Sequence, residues 1–143
     1  MKELDAFFQH GLRPGLEGDA PITALLTSQH GVTLPSPSPI WLDQAPPNSL
    51  YPLITFNEAS DDSWDTSDTR GAELLIDVHV WTDAGPRANA TDLLKAIETL
   101  CDDPAWTITG YTLVYCRPLR AKCDADGEGF HGVVTLRVII GHG

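Results

Sequence analysis

Between Gly71 and Cys101 the apolar residues change period from two to about three and a half, and few architectures accommodate that switch within thirty residues. Leu74, Ile76, Val78 and Val80 share one parity, while Glu73, Asp77 and His79 hold the other. That is the pattern of a strand with one buried face. Leu75 and Trp81 interrupt the polar side, and Trp81 at the strand's end is a candidate for a surface that meets another subunit. Beyond Asp83-Ala84-Gly85-Pro86, the residues Ala90, Leu93, Leu94, Ile97, Leu100 and Cys101 recur at helical spacing. Pro86 suits a first helical turn, where a missing N–H costs little, and Asp102-Asp103-Pro104 ends the run. A strand followed by a helix with a single apolar stripe predicts a helix lying on a sheet.

The rest of the chain extends this pattern. Leu4, Phe7 and Phe8 form a short helical stripe before Gly11, within an N-terminal helical segment over residues 1–18. A second helix is expected from Asp19, with Pro21 in its first turn and Ile22, Leu25 and Leu26 facing inward. Pro35, Pro37 and Pro39 make an extended connector. Ile40-Trp41-Leu42 reads as a brief strand ended by Ala45-Pro46-Pro47-Asn48, and Tyr51 to Glu58 as a longer one. Residues 59–70 are polar and acidic and predict a mobile loop between two strands. Tyr111 to Lys122 and Phe130 to Ile140 alternate again, joined by a turn at Asp124–Gly129. The expected fold class is α+β: one domain over residues 1–143, with a mainly antiparallel four- to five-stranded sheet and helices packed on one face.

Length and composition narrow the function. At 143 residues one core forms without staples. No signal peptide or membrane span is expected, which points to a soluble protein made in the cytoplasm. Cys101, Cys116 and Cys123 are odd in number and read as reduced thiols. Nine basic against twenty acidic residues leave a formal charge of -11. Affinity for nucleic acid comes from cations that neutralise phosphates, so this balance argues against a groove that grips DNA. It is compatible with a conduit through which DNA slides, since acidic walls repel phosphates over about 8 Å at physiological salt.

Chemistry-bearing constellations are weak. Asp124-x-Asp126-Gly127-Glu128 has alternate carboxylates, but its glycine comes too early for an EF-hand loop, and Asp with Gly is what a tight hairpin needs. Cys116, Cys123 and His131 lack the close pairs of structural zinc. Asp77 and His79 share a strand face, an ordinary arrangement for a wet surface. No catalytic residue, metal ligand or cofactor is assigned. The one basic cluster, Arg117, Arg120 and Lys122, is a candidate interface, either with the acidic residues of another copy or as a charged, protected strand edge.

The order of these pieces resembles the tail-completion, or tail-terminator, proteins of long-tailed bacteriophages. The resemblance rests on Ile40-Trp41-Leu42 before Pro46-Pro47, Tyr51-Pro52-Leu53-Ile54, an acidic insertion, Val80-Trp81-Thr82, an Ala- and Leu-rich helix, and Gly132-Val133-Val134-Thr135-Leu136. It covers about residues 20 to 140. Such a resemblance implies a structural, non-enzymatic virion protein at the head–tail interface. It also implies a homohexameric ring that caps the tail tube, meets the tube protein on one side and the head connector or stopper on the other, and passes DNA without sequence-specific binding. Trp81, Arg117, Arg120 and Lys122 are then candidates for the subunit or partner interface. Asp61, Asp62, Asp65 and Asp68 are candidates for a lumen- or partner-facing acidic surface, on charge alone. The competing reading is a small acidic adaptor or inhibitor that binds a basic protein.

Overall fold

The computed structural model describes residues 2–30, 40–42, 51–63, 71–83 and 85–142. Its elements run α1 (Lys2–Phe7), a π-helical turn (Phe8–Leu12), α2 (Arg13–Gly18), α3 (Ala20–His30), β1 (Ile40–Leu42), β2 (Leu53–Ser63), β3 (Gly71–Trp81), α4 (Arg87–Leu100), β4 (Tyr111–Asp126) and β5 (Gly129–His142). The strands form one sheet in the order β1-β2-β3-β5-β4. Among the described residues β1 and β2 pair in parallel, and β2–β3, β3–β5 and β5–β4 are antiparallel. This is the expected α+β sheet.

The strand-to-helix switch seeds the core. Ala72, Leu74, Ile76, Val78 and Val80 of β3 are buried, as are Val134, Leu136, Val138 and Ile140 of β5. Against them α4 lays Ala90, Leu93, Leu94 and Ile97. The N-terminal helices add Leu4, Phe7, Phe8, Leu12, Leu16, Ile22 and Leu26 to the same cluster. Removing a side chain such as Leu93 or Ile97 would forfeit about 2–5 kcal/mol. Pro86 sits at the N-cap of α4 with extended ψ, one residue outside the helix, where its missing N–H is harmless.

Three local features have physical reasons. Helical structure continues through Gly11 to Gly18, and Gly11 and Gly15 lie under Trp106. A Cβ at Gly15 would stand 2.6 Å from the Trp106 ring, and one at Gly11 would stand 2.7 Å from Ile108. Both glycines serve close packing, not termination. Asp19 then separates α2 from α3 in extended conformation, and its Oδ2 accepts the Ile22 N–H at 3.1 Å as an N-cap.

The second feature is a difference: β2 runs to Ser63, so residues 59–63, expected in the loop, are strand. Their neighbour β3 supplies a continuous ladder, and Ser60, Asp61, Asp62 and Ser63 pair with Leu75, Leu74, Glu73 and Ala72 after a register shift beyond Glu58. Thirdly, β4 and β5 run to within two residues of each other. Gly127 has φ +62° at the first loop position, where a type II′ turn requires glycine. The Pro35–Pro39 connector and Pro46-Pro47 lie outside the described residues.

Candidate functional site: the open sheet face and its edge

The described helices contribute to the core on one face of the sheet, and the other face is built from the alternate residues of four strands. Register sets its rows. Leu53, Trp81, His131 and Asp124 stand side by side across β2, β3, β5 and β4; the next row is Thr55, His79, Val133 and Lys122; the next is Asn57, Asp77, Thr135 and Arg120. Trp81, Arg120 and Lys122 are therefore brought to one surface, although they come from different strands.

Within that surface several polar groups are paired. Trp81 donates its indole N–H to Thr55 Oγ1 at 3.0 Å, and its ring stacks on His131 with centroids 3.8 Å apart and planes within 5°. His79 lies nearly parallel to the same stack, 5.0 Å from His131. Its Nδ1 is 2.7 Å from His131 Nε2, and its Nε2 is 2.7 Å from Asn57 Oδ1. Thr135 donates to Asp77 Oδ1 at 2.7 Å, and Arg137 donates from Nε to Glu73 Oε2 at 2.7 Å while lying over Tyr115. Asp77 and His79 thus bond away from each other, to Thr135 and to Asn57 and His131.

Burial lowers the pKa of His79, with the His131 charge acting in the same direction and Asp77 opposing. Burial also lowers that of His131; Asp126 opposes most, Lys122 adds to the lowering, and Asp124 opposes. Both imidazoles are held toward the neutral form by desolvation.

The edge of the sheet at β4 carries the basic cluster, and the structure divides it. Arg117 reaches the acidic end of α4, 3.4 Å from Asp102 and 3.7 Å from Asp103. The Asp103 N–H also bonds the Cys116 carbonyl at 2.8 Å, so the segment after α4 covers that part of the edge. Lys122 is 4.0 Å from Asp124 on an exposed surface, worth little in stability, and Arg120 has no ion pair among the described residues. Register shifts at Leu113/Tyr115 and Pro118/Arg120 bracket Val114 and Leu119, each about half exposed. Bulges, a proline and charges are how an edge strand resists indiscriminate pairing. Sequence periodicity missed Val114 and Leu119, because a bulge is where a strand's alternation fails.

On the far flank of the sheet, the Asp61 and Asp62 backbones are in β2, and Asp65 and Asp68 lie outside the described residues. Two of the three thiols, Cys101 and Cys116, are buried. Cys116 donates to the Cys101 carbonyl at 3.5 Å; burial pushes the Cys101 pKa well up and that of Cys116 to about 12, so both remain thiols. Among the described residues, no three His, Cys, Asp or Glu side chains converge as metal ligands. None of the described helices is long and apolar enough to cross a membrane.

The described α+β sheet thus presents one largely hydrogen-bonded face and one guarded edge. Comparison with known proteins gives the family. A family model described as tail completion protein gp17 matches residues 20–141, and the chain belongs to that family of phage tail structural proteins of the virion. The tail completion protein gp17 of Bacillus phage SPP1 is 29% identical over 93 residues, covering 63% of this chain and 68% of that protein. A chain in the virion structure of a native gene transfer agent particle shares the fold, with a TM-score of 0.68 over 90% of each chain at 20% identity.

Proposed function

We propose that this protein caps the completed tail tube as a ring and forms the surface on which the head connector docks, leaving an axial channel for DNA. The observation that carries this reading is the family match over residues 20–141. The site is compatible with it: on the open face Arg137 is paired with Glu73 and Asp77 accepts from Thr135, and the chain as a whole is strongly acidic. A chain with this excess of acids offers phosphates little net attraction.

In this reading the ring contact is heterologous. Two β4 edges meeting about a two-fold axis would set Arg117, Arg120 and Lys122 of one copy near those of the other, and like charges oppose that arrangement. The basic edge instead meets acidic residues of the neighbouring copy, with Asp61, Asp62, Asp65 and Asp68 as the proposed counterpart. Trp81 lies on the same open face as Arg120 and Lys122 and is the proposed aromatic anchor.

The test is complementation in infected cells. Without this protein, filled heads and tails are expected to accumulate unjoined, and adding purified protein to such a lysate should restore joined particles. Joined, infectious particles formed in its absence would refute the proposal. Arg120→Glu with Lys122→Glu should abolish restoration while leaving the melting temperature within a few degrees.

A further inference from the structure

The three parallel rings on the open face do more than pack, because two of them share a hydrogen bond that has room for a limited number of protons. Asn57 Oδ1 accepts from His79 Nε2 at 2.7 Å, so a neutral His79 carries its proton on Nε2 and presents a bare Nδ1. That Nδ1 lies 2.7 Å from His131 Nε2, which must then be the donor. The chain of donors therefore runs in one direction, from His131 through His79 to Asn57. Protonation has two different consequences along it. His131 can take a proton on its Nδ1 and keep both the bond to His79 and the stack on Trp81 at 3.8 Å. Once His131 carries both of its protons, His79 can take one only on Nδ1, where N–H would confront N–H, and the couple must separate.

From this geometry we infer that His79 and His131 form an acid-sensitive latch on the open face, silent to the first proton and released by the second. The charged groups around it favour that order. Asp124 and Asp126 on β4 draw the first proton to His131, and Lys122 on β4 resists it. Asp77, on the same strand as His79, is the carboxylate acting on that ring, and its Oδ1 is already engaged by Thr135. From β2, Thr55 and Asn57 face the rings and bring no charge. Release frees His79 from His131 and loosens the contacts of Trp81, its hydrogen bond to Thr55 and its stack on His131. The latch is a property of the chain alone and does not rest on the ring proposed above.

Long-range nitrogen–proton correlation spectra of the 15N-labelled full chain, recorded between pH 8 and pH 4.5, test this directly. At pH 8 both rings should show the Nε2–H tautomer. His131 should titrate first, and the His79 midpoint should lie at least one pH unit, a tenfold change in proton affinity, below it. The Trp81 indole N–H and Asn57 amide signals should move with the second step and not the first. His131→Phe, which keeps a ring against Trp81 but removes donor and charge, should raise the His79 midpoint. Should that variant fail to fold, His131→Gln removes the charge and should raise it as well. The inference is overturned if His79 and His131 titrate independently, each unchanged when the other is replaced, or if the Trp81 and Asn57 signals follow the first proton.

Discussion

Gly129 shows how one position can tie three elements together. Thr82, just beyond β3, donates its N–H to the Phe130 carbonyl at 3.0 Å and accepts the Phe130 N–H on Oγ1 at 2.8 Å. A Cβ at Gly129 would lie 1.9 Å from the Thr82 carbonyl oxygen, a backbone atom that cannot swing aside. Gly129→Ala should therefore destabilise the fold by at least ~2 kcal/mol, read from urea unfolding midpoints. Gly18→Ala, with nothing within 4 Å of the added methyl, should be neutral or stabilising by up to ~1 kcal/mol. At the same scale the two histidines set a pH dependence. Their folded pKa values lie below the ordinary 6.5, so the folded state binds fewer protons than the unfolded one. Their contribution is complete above about pH 6.5 and is lost as pH falls through the window beneath it. Unfolding midpoints at pH 7.5 and pH 5 should show this loss, and it should be shallower in His131→Phe.

Among the elements, β3 and α4 were legible because each has one buried face and one wet face, and the period records which. The prediction of an internal strand opposite a helix required only Leu74 to Val80 and Ala90 to Ile97. The extension of β2 was not legible. Ser60-Asp61-Asp62-Ser63 has poor strand propensity, and it is strand because β3 offers it a ladder. The role of Gly11 was hidden for the complementary reason: it makes room for Trp106, a residue far off in the chain. The partners of Trp81 were equally hidden, since Thr55 and His131 come from other strands and meet it only through register. Of the basic cluster, sequence located all three residues but not their division, in which Arg117 turns to Asp102 and Asp103. An element-scale test follows from the helix–Trp106 contact. Gly15→Ala should improve helix propensity by about 1 kcal/mol and still destabilise overall, because its methyl meets the Trp106 ring at 2.6 Å. A rise in melting temperature for that variant would contradict the packing account.

For the whole molecule, the central claim is that function resides in surfaces that self-associate. The chain belongs to the tail completion family, and the ring is proposed from that membership and from the like charges that two β4 edges would bring together. Trp81→Ala should leave a folded chain, because the core lies on the other face, while weakening association if the open face is the contact. The most direct measurement is the mass of the purified protein by light scattering after gel filtration, with negative-stain images taken before and after tail tube protein is added. The account predicts a closed ring of six copies, alone or on the end of the tube. A protein that stays monomeric at high concentration and forms no ring on the tube would contradict it.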